Sequence, residues 1–325
     1  MIEMTKRRNK DGFWMTWTIL LLLLSACRTR TDATPQPEAE LGEWKQHTSM
    51  STLRSEMPAV GLDGRIYTPG GFGGEAVFEA YEPSSDRWYT LSSMPQGRHH
   101  LMATANDGRI YIFGGARSIV DWRATDDAWA YDSETDTWSE LAPMPEARLA
   151  GAAVSLGDYI YVIGGTGGSN ALLRYDPAAG QWALLAPLSQ AREHTAAAAL
   201  DGRIYVIGGR WSGTGELNSV EVYDPVTDTW SAGPSLSEAR GGHAAAVVGV
   251  RIVVSGGEVL GGERSTLDSV ELLDPENGSW IPGPPLPVPL HGVPAVGIEG
   301  RVYVLGGSDR AGAIENHGRV LSWEP

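Results

Sequence analysis

The residue types in this chain that could do chemistry recur at one level. Ten residues after each of a series of tryptophans stands an arginine, as Arg54, Arg98, Arg148, Arg192 and Arg240, with Leu290 breaking the series. Histidines cluster in the next three positions, as His99, His100, His194, His243 and His291, five of the seven in the chain. A ring of guanidinium groups on an acidic protein would focus anions, suiting a small carboxylated ligand or an acidic peptide. The competing reading is structural, with each arginine tying neighbouring segments together through carboxylates or loop carbonyls. Proton transfer around a sugar ring would need one acid and one base, for which Glu56, Glu193, His100 and His194 are candidates. Neutral imidazole also ligates metals. These histidines come from different segments, however, and only His99 and His100 are adjacent, so no metal and no cofactor are expected. Trp122 and Trp211 lie outside the recurrent slots, either as stacking platforms for a sugar or partner or as packing.

The elements that position these residues are written into the spacing. Trp44, Trp88, Trp138, Trp182, Trp230 and Trp280 each precede a Gly-Gly pair by 26 residues, the pairs beginning at Gly70, Gly114, Gly164, Gly208, Gly256 and Gly306. One structural unit is therefore repeated six times. From each Gly-Gly to Tyr81, Tyr131, Tyr175, Tyr223, Leu273 or Trp323 the count is 11, 17, 11, 15, 17 and 17, and from that residue to the next Trp it is always 7. All variation in length falls in one loop. Within a unit, an apolar run such as Ala196 to Leu200 meets Asp-Gly, a strong hairpin signal, and a second β-rich run follows. The turn recurs at Asp63-Gly64 and Asp107-Gly108, with Glu299-Gly300 and the reversed Gly157-Asp158 as variants. After the Gly-Gly come the variable loop, a third strand (Val220 to Tyr223), an Asp-Pro turn and the Trp strand. Strands a and b are thus joined by Asp-Gly, b and c by the variable loop, c and d by the short turn.

A four-stranded antiparallel unit repeated radially is a β-propeller, which leaves few exposed sheet edges. The Gly-Gly after strand b, the Tyr of strand c and the Trp of strand d resemble the kelch repeat, and the resemblance covers Glu43 to Pro325. It implies an all-β, six-bladed propeller spanning 41–325. The chain ends at strand c of the sixth unit, and the orphan strand around Trp44 (Leu41 to Met50) is expected to supply its strand d and close the ring. Gly70-Gly71-Phe72-Gly73-Gly74 and Gly164-Gly165-Thr166-Gly167-Gly168 look like phosphate loops, but neither leads into Lys-Ser/Thr or a helix. In an up-down-up-down blade the b–c loops and d–a connections share one face, and variable loops on a rigid scaffold are where binding resides. Galactose oxidase shares the repeat type, but its copper site needs a Cys-linked Tyr and the only cysteine here is Cys27. The chain is also distantly similar to the six-bladed kelch mutarotases of N-acetylneuraminate, which implies an isomerase as the alternative to a binding module.

The N-terminus carries a basic n-region (Lys6, Arg7, Arg8, Lys10) and an apolar run from Phe13 to Leu24 that is short for a membrane span. It ends in Leu24-Ser25-Ala26-Cys27, which resembles a bacterial lipobox with Cys27 as the lipidated residue. Residues 1–26 read as a lipoprotein signal peptide and 27–40 as a flexible tether, placing the domain outside a bacterial membrane and joined to it by lipid alone. The net charge of −15 becomes about −17 once the segment before Cys27 is removed, which excludes nucleic acid as a partner and keeps a tethered domain soluble. The expected partners are a protein or a small acidic ligand such as a sugar, met by a monomer.

Overall fold

The structure, a computed structural model, describes residues 42–166, 170–274 and 277–325. The signal segment, Cys27 and the tether lie outside the described residues. Six four-stranded antiparallel sheets make the six blades of a β-propeller. In blade one, strands a to d are Val60–Leu62, Arg65–Pro69, Phe78–Glu82 and Arg87–Thr90. Blade six takes strands a to c from Ala295–Ile298, Arg301–Leu305 and Val320–Trp323. Its strand d is Lys45–Gln46, where Lys45 pairs with Ser322 and Gln46 with Leu321. The two chain ends therefore close the ring, as the orphan tryptophan implied.

Local chemistry explains the strand ends. At Asp63-Gly64, Asp107-Gly108, Asp201-Gly202 and Glu299-Gly300 both residues have positive φ, between 46° and 78°, which is the turn that matches the twist of a two-residue hairpin. Radial position explains the burial. Strands b and c are buried along almost their whole length, because a neighbouring blade covers each face, while strands d are mostly exposed at the rim. The apolar core is accordingly divided among the blade interfaces. One cluster, for example, joins Tyr111, Phe113 and Ala130 of blade two to Ile160, Val162 and Tyr175 of blade three.

The recurrent tryptophans are staples between blades. Each indole N–H donates to a carbonyl of the preceding blade's rim: Trp88 to Thr48, Trp138 to Ser92, Trp182 to Ala142, Trp230 to Ala186, Trp280 to Pro234, and Trp44 to Pro284, all at 2.8–3.0 Å. In three blades an aspartate of the c–d turn reinforces the staple. Asp86, Asp136 and Asp228 each accept from the Tyr of their own blade and from the backbone N–H of the residue that receives the Trp. These aspartates have φ of 53°, and Gly180 and Gly278 fill the same turn position in blades three and five.

Candidate functional site

The arginines were expected to line a ligand-binding face, and the structure corrects this. Arg54, Arg148, Arg192 and Arg240 are 0 % exposed and Arg98 is 2 % exposed. Four of them donate to the carbonyl of the first Gly of their own Gly-Gly: Arg54 to Gly70, Arg148 to Gly164, Arg192 to Gly208 and Arg240 to Gly256. Carboxylates complete the pairing, with Arg54 on Glu79, Arg98 on Asp127, Arg148 on Glu146, Arg192 on Glu221 and Arg240 on Glu271. The carbonyl of each residue in this slot also accepts from the second Gly of the preceding blade, as Gly165 does to Arg192 and Gly257 to Leu290. A buried guanidinium with five donors satisfies loop carbonyls that would otherwise be orphaned. These five residues are ties within and between blades. They do not form a cationic mouth.

The two following positions carry the site. Glu56, His100, Ala150, His194, Gly242 and Gly292, one from each blade, all have positive φ, between 46° and 62°. Their backbones form a closed circle of hydrogen bonds at the axis. His100 N–H donates to Glu56, Ala150 to His100, His194 to Ala150, Gly242 to His194, Gly292 to Gly242 and Glu56 to Gly292, at 2.6–2.9 Å. Left-handed backbone in a non-glycine residue is costly and is held here by its surroundings. The three side chains longer than Ala on this circle, Glu56, His100 and His194, line a cavity of about 160 Å³. Its floor is one alanine from each strand a or its approach: Ala59, Ala103, Ala153, Ala197, Ala245 and Ala295. Small residues there let six strands converge on the axis.

The clustered histidines separate into three levels, a division that their proximity in sequence concealed. His100 and His194 belong to the axial circle, while His99 and His291 stand one residue earlier, in the loop layer. His243 stands one residue later, in the packing slot that Met57, Leu101 and Val293 fill in other blades, and it is 6 % exposed. Burial, with Arg240 adding to it, pushes its pKa down to about 3, so it acts as a neutral packing group. It leaves the binding set.

Around the mouth the ionisable groups form a closed loop. Glu56 Oε2 lies 3.3 Å from His100 Nε2, which lies 3.1 Å from His194 Nε2. His194 Nδ1 is 3.3 Å from Glu193 Oε1, which accepts from Arg210. Arg210 Nη1 is 2.6 Å from Glu258 Oε1, Glu258 Oε2 is 3.4 Å from His291 Nδ1, and that nitrogen is 3.7 Å from Glu56 Oε1. Burial presses His100 down to about 3, against the pull of Glu56. Burial works against an ionised Glu193, yet His194, Thr166 and Arg210 bring it to about 2. His291 goes the other way, since Glu56 and Glu258 on either side outweigh its burial and raise it. Three carboxylates against Arg210 and His291 give this mouth an excess of acidic groups over these two basic ones, opposite in sign to the expectation from the arginine series.

Of the two extra tryptophans, Trp122 is 46 % exposed and its ring centroid lies 4.8–5.6 Å from those of His99, His100 and Phe72. It forms a lip beside the axial site. Trp211 lies half-buried on a two-stranded ribbon (Arg210–Trp211 with Gly215–Glu216) in the b–c loop of blade four. Arg210, Glu258 and Phe72 escaped the sequence reading. A signal existed, since each immediately follows a Gly-Gly, and that slot pairs with the loop-layer residue of the same unit: Ser55 with Phe72, Glu193 with Arg210 and Gly241 with Glu258. Glu56, His100 and His194 offer ligand atoms all within 4.8 Å of one another, so the ring undoes the sequence separation that argued against a metal cluster.

Comparison with known proteins agrees with the architecture. The Kelch motif model matches residues 191–237 and 239–287, and the KLHDC2/KLHL20/DRC7 Kelch-repeats domain model matches residues 38–190. No curated protein matches the sequence. Among solved structures, the one titled "Structure of YjhT" superposes with a TM-score of 0.76 at 16 % identity, covering 85 % of this chain and 96 % of that one. At that identity the likeness concerns the fold alone.

Proposed function

The chain belongs to the kelch-repeat β-propeller family, and on that premise we propose that it is a lipid-tethered, extracytoplasmic binding module that takes a small polar ligand in its axial mouth. The observation that carries this reading is the closed loop of Glu56, His100, His194, Glu193, Arg210, Glu258 and His291 over a cavity of about 160 Å³. Convergent polar groups above an alanine-lined floor are the usual make-up of a small-ligand site. The variable b–c loops supply the rim, with Trp122 as an apolar face on which a sugar ring or similar flat ligand stacks. The acidic excess of the mouth favours neutral or cationic ligands. An acidic sugar would have to recruit Arg210 from its two carboxylates.

A second reading has its own support. Glu56 beside His100 at 3.3 Å is the acid–base pairing that ring opening of a sugar requires, so a mutarotase-like isomerase remains the alternative. NMR of the protein with neutral sugars and with N-acetylneuraminate separates the two. Line broadening alone supports the binding module, and accelerated anomer exchange that disappears in Glu56→Gln supports the isomerase. Neither effect with any sugar, in a protein shown to be folded by circular dichroism, overturns the axial-mouth reading.

A further inference from the structure

We propose that Glu56, His100 and His194 form a binding site for one divalent first-row transition-metal ion, with zinc as the reference ion, on the axis of the propeller. The proposal deepens the axial-mouth reading and rests on it for the identity of the open face.

The geometry comes first. The Nε2 atoms of His100 and His194 face each other at 3.1 Å, and Glu56 Oε2 is 3.3 Å from the first of them. Metal–nitrogen bonds of about 2.0–2.1 Å place two ligands of a tetrahedral ion about 3.3 Å apart, and a tighter octahedral edge is about 2.9 Å. Both observed separations fall in that interval. The three atoms sit on one circle whose backbone is locked by six head-to-tail hydrogen bonds, so the ligands are held on rigid elements.

The protons come second. Glu193 Oε1 lies 3.3 Å from His194 Nδ1, and with the ring proton on that nitrogen the Nε2 lone pair faces the axis. His99 Nδ1 lies 2.7 Å from His100 Nδ1. When His100 donates there, its Nε2 also presents a lone pair to the axis, and three acceptors converge on one point. A cation resolves that convergence. Carboxylate next to a ligating imidazole is the usual outer-shell arrangement of such sites, and Glu258 with His291 supplies the same support behind Glu56.

Charge comes third. One carboxylate and two neutral imidazoles match a borderline ion such as zinc, in a set known to leave a coordination position open. On a chain of net charge −15 a cation is drawn inward. The open position faces the cavity, where the ion would polarise a ligand carbonyl or hydroxyl. Two of the other histidines are unsuited, since His243 is enclosed in packing and His317 is paired with Asp309 at 2.9 Å.

The test uses the untagged full chain in detergent, stripped with a chelator and then titrated with zinc by calorimetry and with cobalt(II) by visible absorption. The expected result is one ion per chain and a cobalt spectrum of low coordination number. Affinity should fall at least about 100-fold in His100→Ala and His194→Ala, and 10- to 100-fold in Glu193→Gln. His317→Ala should leave it unchanged. Far-ultraviolet circular dichroism and tryptophan fluorescence establish that each variant is folded, and His194→Gln serves if the alanine variant is not. Absence of stoichiometric binding, or binding indifferent to both histidine variants, overturns the metal site. Sugar broadening in a chain that takes no metal would overturn this inference and leave the axial-mouth reading standing. Metal binding with no sugar response would do the reverse.

Discussion

Replacing Arg192 by leucine tests whether the recurrent arginines are ties or ligand contacts. Arg192 is fully buried and donates to Gly208 O at 2.9 Å, Ser219 O at 3.0 Å and Glu221 Oε1 at 2.8 Å. Glu221 is 6 % exposed. It keeps backbone donors from Ser189 and Gln190 but loses its only charged partner among the described residues. Breaking one side of a buried ion pair costs about 3–5 kcal/mol. Blade six shows how the chain itself avoids that cost. The positions equivalent to Arg192 and Glu221 there are Leu290 and Leu321, both buried in the apolar cluster shared with blade five. The double variant Arg192→Leu/Glu221→Leu should therefore recover most of the loss. About 1–2 kcal/mol should remain for the carbonyls of Gly208 and Ser219 left without the guanidinium. The double variant should then be about 2–3 kcal/mol more stable than Arg192→Leu alone. Urea unfolding followed by tryptophan fluorescence and by circular dichroism measures the difference. A single variant with unchanged stability and abolished ligand binding would refute the structural role and restore the arginines to the binding face.

Other consequences can be checked with the same methods. Gly114→Ala should destabilise by more than about 2 kcal/mol, because φ is +58° there and a Cβ would run into the Arg148 carbonyl. Gly202→Ala has only the φ penalty of about 1–2 kcal/mol, since nothing lies within 4 Å of its Cβ position. Trp44→Ala should cost about 2–3 kcal/mol and speed hydrogen exchange at residues 320–323 before any other blade, because it removes the closing staple to Pro284 and the contact with Trp323. For Asp228, the hydrogen bond from Tyr223 and then the Ala186 N–H lower the folded-state pKa. Its contribution is therefore complete above the unfolded value of about 3.9 and is lost as pH falls through the folded value. Asp228→Asn should be less stable than the parent near neutrality by no more than about 1 kcal/mol, the carboxylate being exposed, and the gap should close below about pH 4 in thermal unfolding.

What the sequence determined by itself was everything that depends on spacing along the chain. The constant 26 residues from Trp to Gly-Gly defined six units, because each unit is one sheet whose strands, turns and staples occupy fixed offsets. The Asp-Gly hairpins followed from a backbone that only such residues adopt readily. Ring closure followed from a Trp without a strand c before it. Site chemistry was legible only in part. Glu56, His100, His194 and Glu193 were recognised by type and level, whereas the fates of their neighbours depended on rotation about the chain. A shift of one residue turns His99 into the loop layer, His100 to the axis, and the next position into the core where His243 lies. The arginines misled because sequence gives the position of a charge and not its partner, and Glu79, Glu221 and Glu271 wait 25 to 31 residues away on strand c. Only closure of the ring brings residues 56, 100, 194, 258 and 291 within contact, since no pair of them is local and the circle of hydrogen bonds exists only when all six blades are in place.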